Sequence, residues 1–249
     1  MKIPLMVKVY FRLRRGWKCL NKETQQQVKL FLLSQRRADG YLNAGGKVDA
    51  YYTQFGKLLE AVLSPVKVLW LSKKPLVVKE SMGRDTIYGR FFAFLQEEMK
   101  LKVESKKWKV ESGKDNFQFS IFNFQLSSVC CILAMQHQTG EPYDKELVKW
   151  LKARQDETGG FYASEMSPIP DMLSTAVALF TLLLIGEKPQ SAKRFIEAHW
   201  LDIGSFTPTL LDDYSDVEYL FYGLLALGSQ IKSPLAQRSP PSPQGGAFR

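Results

Sequence analysis

Residues 150–161, WLKARQDETGGF, and residues 171–186, DMLSTAVALFTLLLIG, decide the fold of this 249-residue chain. Their order of residue types returns twice. FLLSQ at 31–35 leads to DGY at 39–41 and DAYYT at 49–53, and GSF at 204–206 leads to DVEY at 216–219 and LLALG at 224–228. An internal repeat of this kind means one supersecondary unit that cannot bury its apolar face alone and stacks on copies of itself.

Each copy reads as two helices and a loop. Val28, Leu30, Phe31 and Leu33 give the first helix of one pair an apolar face, and Leu147, Val148, Trp150 and Leu151 do so in another. The earlier of these helices starts near Lys22 or Glu23. Gly159 and Gly160 break the chain between paired helices, where a left-handed conformation is expected. Asp49, Asp171 and Asp216 precede the second apolar runs and suit helix N-caps. Those second runs are apolar almost all round, as in residues 176–185, which places them in an inner layer. The first helices carry Lys, Arg and Glu on one side and belong outside.

Four pairs can be drawn, over residues 23–63, 85–136, 143–186 and 189–230. The second is degenerate: Phe91, Phe92, Phe94 and Leu95 mark its outer helix, residues 117–135 its inner one, and residues 103–116 a charged hairpin or loop between them. Residues 64–84, with Pro65 and Pro75, have room for a short extra helix. The domain plan is a basic amphipathic segment at 1–20, the repeat domain at 21–231, and a disordered tail rich in Pro, Ser and Gly at 232–249.

The run of aromatic and aliphatic residues, then Gln35 or Gln155, then Gly40-Tyr41 or Gly160-Phe161, resembles a known repeat. It is similar to that of protein prenyltransferase beta subunits and to the QW motif of squalene and oxidosqualene cyclases. The resemblance covers roughly residues 23–230. It implies an all-α fold, an α/α toroid in which a ring of inner helices sits inside a ring of outer ones around an apolar cavity. With four hairpins the ring is smaller than the family's or open. The family's catalytic residues carry over poorly. The transferases hold zinc with an Asp-x-Cys pair and a His in an Asp-x-Tyr-His-Thr run. Here Cys19, Cys130 and Cys131 have no Asp two residues earlier, and Tyr219 stands where that His would be. Zinc is therefore not expected. The Asp-x-Asp-Asp acid of the cyclases is also missing. Asp212, after Leu210 and Leu211, is the best single carry-over, and it implies a part in holding magnesium.

Read on their own chemistry, Asp212, Asp213 and Asp216 form a DDxxD string, which suits magnesium because hard cations take carboxylate oxygens and bridge to phosphates. The competing reading is a polar loop that ends in the N-cap Asp216. Asp212 and Asp213 are the catalytic candidates. Inner-helix aromatics, Tyr52, Phe122, Phe180, Tyr219 and Tyr222 among them, either line a pocket for an isoprenoid or fill the centre of a small toroid. His137 and His199 have no partner at ligand spacing and read as structural, and Cys130 and Cys131 as buried thiols.

The net charge of +9 hides an asymmetry: residues 1–114 hold 24 Lys and Arg against 10 acids, and residues 115–231 hold 7 against 15. The basic residues are spread over outer helices and loops without a nucleic-acid motif, so direct nucleic-acid binding is not expected. Residues 1–20 alternate basic and apolar side chains without an acid. They read as a first outer helix with a solvated basic face or as a peripheral contact with an anionic membrane. Apolar runs stop short of a bilayer span, and three Cys without a framework point to a reducing cytoplasm. Three functions follow: a divergent family member that binds an isoprenoid or other apolar ligand, a magnesium-dependent isoprenoid enzyme using Asp212 and Asp213, or a protein-interaction scaffold retaining only the fold.

Overall fold

The computed structural model describes residues 5–64 and 125–230. Within them the helices are α1 (Leu5–Cys19), α2 (Lys22–Ser34), α3 (Ala50–Leu63), α4 (Leu126–Thr139), α5 (Lys145–Lys152), α6 (Met172–Leu184), α7 (Lys193–Ala198) and α8 (Val217–Gln230). Two-residue strands pair antiparallel in the connecting loops: β1 (Tyr41–Leu42) with β2 (Val48–Asp49), and β3 (Trp200–Leu201) with β4 (Ser205–Phe206). The outer helix expected near Phe91, the inner run from Phe117 to Phe124, the short helix in 64–84 and the C-terminal tail lie outside the described residues.

Caps set the helix starts. Asn21 accepts from the Thr24 N–H, Asp49 from Tyr51 and Tyr52, Asp144 from Glu146 and Leu147, Asp171 from Ser174, and Asp216 from Glu218 and Tyr219. Each carboxylate or amide satisfies donors that the first turn leaves orphaned, which is why the repeat keeps a short polar residue there.

Helices α3, α4, α6 and α8 form the inner layer. Neighbours run α4, α6, α8, α3, so the inner helices of the first and last hairpins lie side by side, as a ring requires. α6 and α8 are buried over most of their length, in keeping with their all-round apolar sequence. The amphipathic α5 buries only Leu147, Trp150 and Leu151. On α2 the buried residues are Thr24, Val28, Phe31 and Leu32, whereas Leu30 and Leu33 point outward, 57% and 60% exposed. The expected apolar face is thus rotated: the helix buries its 24, 28, 31 and 32 positions, a 3.6-residue stripe that excludes 30 and 33.

The loops repeat as well. Tyr41 and Phe161 each donate their N–H to the hydroxyl of an inner-helix threonine, Thr53 and Thr175, both at 2.9 Å. Each pairs with the N-cap aspartate of that helix, Tyr41 with Asp49 and Phe161 with Asp171. The Gln155 amide donates to the Gly159 and Gln190 carbonyls and accepts from the Gln190 N–H, tying the third hairpin to the fourth. Gln35 bonds its neighbour Ser34 instead. Gly159 has a φ of 93°, as the turn requires, but Gly160 is not in the left-handed region. Gly160 is needed because a Cβ there would meet the Phe195 ring and Pro170.

α1 packs against α8 and α3 and buries Tyr10, Leu13 and Trp17. Gly16 and Gly228 make the crossing with α8: a Cβ on Gly16 would overlap the Leu224 carbonyl, and one on Gly228 the Arg12 carbonyl. The cations of α1 reach the C-terminal ends of inner helices. Arg14 donates to the Val62 carbonyl on α3, Arg12 to the Gly228 carbonyl on α8 at 3.4 Å, and Lys8 Nζ lies 2.6 Å from His137 Nε2 on the last turn of α4. Among the described residues, no helix is long and apolar enough to cross a membrane.

Candidate ligand site at the mouth of the inner helices

The N-terminal ends of α3 and α8 meet. Their first two turns bring together Tyr51 and Tyr52 from one helix with Glu218, Tyr219 and Tyr222 from the other. Glu218 is the unexpected member. It sits in the first turn of an apolar helix, 8% exposed, and its carboxylate accepts a 2.6 Å hydrogen bond from the Tyr51 hydroxyl. A charge so nearly removed from water persists only with partners. Burial holds the Glu218 carboxyl above the usual carboxylate range, the Asp216 charge adds to this, and hydrogen bonds from Tyr51 and Tyr52 work against it. Asp171 and Asp216 are also raised by burial, opposed by their capping N–H bonds. The phenols stay protonated: Tyr52 is pushed up to about 12, first by burial and then by Asp216, Glu218 and Asp49, and Tyr51 and Tyr219 are raised further by burial.

Behind this polar rim the rings pack on one another. Tyr51 stands edge-on to Phe55 at 5.0 Å, Phe55 lies 4.8 Å from Phe221, and Phe221 is edge-on to Tyr222 at 5.2 Å. Offset and edge-to-face contacts of this kind stabilise by about 0.5–1.5 kcal/mol each beyond their burial. The mouth therefore offers neutral O–H donors, a buried carboxyl whose pKa is raised by burial, and aromatic walls.

The five aromatics expected to share one pocket are divided. Tyr52, Tyr219 and Tyr222 belong to the mouth and are partly buried. Phe180 lies on α6 beside a separate cavity under α1. Phe122 lies outside the described residues. The DDxxD string does not act as one group. Asp212 accepts from the Thr209 N–H at 3.0 Å and hydroxyl at 2.7 Å, Asp213 is exposed, and Asp216 is turned into the cap of α8. No three His, Cys, Asp or Glu side chains converge as a metal site among the described residues.

The histidines have partners that spacing did not reveal. His137 Nδ1 lies 2.7 Å from the Tyr143 hydroxyl. His199 is buried, its Nδ1 is 2.7 Å from the Phe195 carbonyl, and burial lowers its pKa against the opposing charge of Asp212. Cys130 and Cys131 are buried, and burial pushes the Cys130 thiol up to about 12.

Sequence reading missed Glu218. The signal was there: it is the lone acid in the apolar run 217–228. The model of the prenyltransferase alpha-alpha toroid domain matches residues 93–229, more than half of the chain. No curated protein and no solved structure matches it.

Proposed function

The chain belongs to the prenyltransferase alpha-alpha toroid domain family, and on that footing we propose that it binds an isoprenoid, or a similar apolar chain with an uncharged polar head, at the inner-helix mouth. The observation that carries this reading is the Tyr51–Glu218 pair set against Phe55, Phe221 and Tyr222. An apolar chain is held there by aromatic area, at about 25 cal/mol per Å² removed from water. A hydroxyl head exchanges hydrogen bonds with the phenols and Glu218. A diphosphate would meet Asp49, Asp171, Asp216 and Glu218, and adjacent anions repel. Zinc chemistry has no part in this reading.

The test is titration of farnesol and farnesyl diphosphate, with and without magnesium, into the wild type, Tyr51→Phe, Glu218→Gln and an Asp212→Asn, Asp213→Asn double variant. Farnesol binding that weakens about tenfold in Glu218→Gln, the cost of one hydrogen bond to a charged group, supports the proposal. Magnesium-dependent diphosphate binding lost in the double variant would replace it with the enzyme that uses Asp212 and Asp213. Binding of neither ligand would leave the interaction scaffold. The loop bonds from Thr209 to Asp212 and the cap made by Asp216 count against the magnesium reading.

A further inference from the structure

A cavity of about 460 Å³ opens between α1 and the C-terminal half of α6, lined by Lys8, Phe11, Arg12, Arg15, Phe180, Leu183 and Leu184. That volume is in the range of small-molecule sites, about 300–1,000 Å³. The lining divides by chemistry. The α6 side chains are apolar and one of them, Phe180, is a core residue. The α1 side contributes three cations, Lys8, Arg12 and Arg15, and the exposed Phe11. We propose that this cavity binds a single-chain amphiphile with a carboxylate head, an anion of the fatty-acid type.

Arg12 and Arg15 are one turn apart and so share a face of α1. No acidic residue occurs in residues 5–19. Among the described residues, Arg12 gives one long N–H bond, to the Gly228 carbonyl at 3.4 Å, out of the five N–H donors a guanidinium has. Burial and the like charge of Arg15 both work against its protonated form. A carboxylate between the two guanidiniums relieves that repulsion with charge-assisted hydrogen bonds, and its alkyl chain covers Phe180, Leu183 and Leu184.

The head is a monoanion for a second reason. The cavity reaches the C-terminal end of α6, where the helix dipole places partial negative charge. That field opposes each added negative charge, so a single charge beside the two guanidiniums is favoured over several. The site is separate from the mouth: Gly228 and Glu218 are ten residues apart on α8, about 15 Å at 1.5 Å per residue. It is also built by α1, which precedes the residues that match the toroid domain. It does not depend on the mouth reading.

The experiment is titration calorimetry on the full chain with myristate, kept below its aggregation concentration, with tetradecanol, acetate and vesicles containing phosphatidylserine as the other arms. Myristate should bind once per chain, about tenfold more tightly than the alcohol, with no detectable binding of acetate. Arg15→Gln, and Arg12→Gln with Arg15→Gln, should weaken myristate about tenfold or more while the alcohol keeps its affinity, which shows that the fold and the apolar walls survive. Leu183→Trp, which fills the cavity, should abolish binding of both chains. Equal affinity for acid and alcohol overturns the proposal, as does myristate binding that ignores the arginine variants. Binding to anionic vesicles but not to monomeric myristate also overturns it and makes α1 a membrane-surface element.

Discussion

Gly159 and Gly186 separate two costs that are usually confounded. Both are left-handed, at φ 93° and 86°. An alanine at 186 has nothing within 4 Å of its Cβ. Its cost is the backbone conformation alone, about 1–2 kcal/mol for an L-residue, less about 0.4–1 kcal/mol returned by stiffening the unfolded chain. An alanine at 159 bears the same cost and drives its Cβ into the Ser191 carbonyl and the Ala192 Cα, which are backbone atoms and cannot rotate aside. Overpacking adds about 1–3 kcal/mol. In a domain of this size each kcal/mol moves the thermal midpoint by about 2–4 °C. Thermal and urea melts of Gly159→Ala and Gly186→Ala should therefore differ by about 2–12 °C, with Gly159→Ala the less stable. Gly160→Ala tests the companion claim. It has no left-handed cost, but its Cβ meets the buried Phe195 ring and Pro170, so it too should melt below Gly186→Ala. If Gly159→Ala melts no lower than Gly186→Ala, the close approach between the third and fourth hairpins is wrong.

Three further outcomes are expected. Asp171, Asp216 and Glu218 hold protons more tightly in the fold than when unfolded, so they stabilise most below the ordinary carboxylate pKa and lose that contribution as pH rises through their raised values. Urea midpoints of Glu218→Gln should fall less steeply than wild type over the weakly acidic range upward, and an identical slope would refute the burial argument. A thiol reagent should leave Cys130 and Cys131 unlabelled in the native protein and label all three cysteines in denaturant; fast native labelling of either buried thiol would count against the inner position of α4. Gly228→Ala should push α1 off α8, because its Cβ meets the Arg12 carbonyl, and trypsin should then cut at Arg12, Arg14 or Arg15 sooner than in wild type; unchanged cleavage would refute the close crossing.

What was legible in the sequence was what short-range chemistry sets. The N-caps at Asp49, Asp171 and Asp216 form as read, because a carboxylate beside orphan N–H groups has one good arrangement. The all-round apolar runs became the inner layer for the same kind of reason. The outward turn of Leu30 and Leu33 was not legible, since it depends on which distant residues approach α2: Gly204 lies against the Gln27–Val28 backbone, and Gln25 donates to the Trp17 carbonyl. The candidate site fared likewise. Asp212 and Asp213 drew attention as a string, yet Thr209 claims Asp212, and a three-residue loop bond cannot be told from a metal ligand by spacing. Glu218 was passed over because its partner Tyr51 is 167 residues away.

The charge asymmetry of the chain acquires a location in the fold. Acidic caps from the second half of the sequence, Asp171 and Asp216, join Asp49 at the N-terminal ends of inner helices, and Lys8, Arg12 and Arg14 of the basic first segment stand at their C-terminal ends. Each placement opposes charge to the helix dipole. The basic segment thus has an internal use that requires neither nucleic acid nor lipid. It also sets the two proposed sites apart by charge. At the mouth the carboxyls and phenols favour a neutral head, while under α1 the arginines favour an anionic one. A single chain bound at both sites would contradict this division, so farnesol should not compete with myristate.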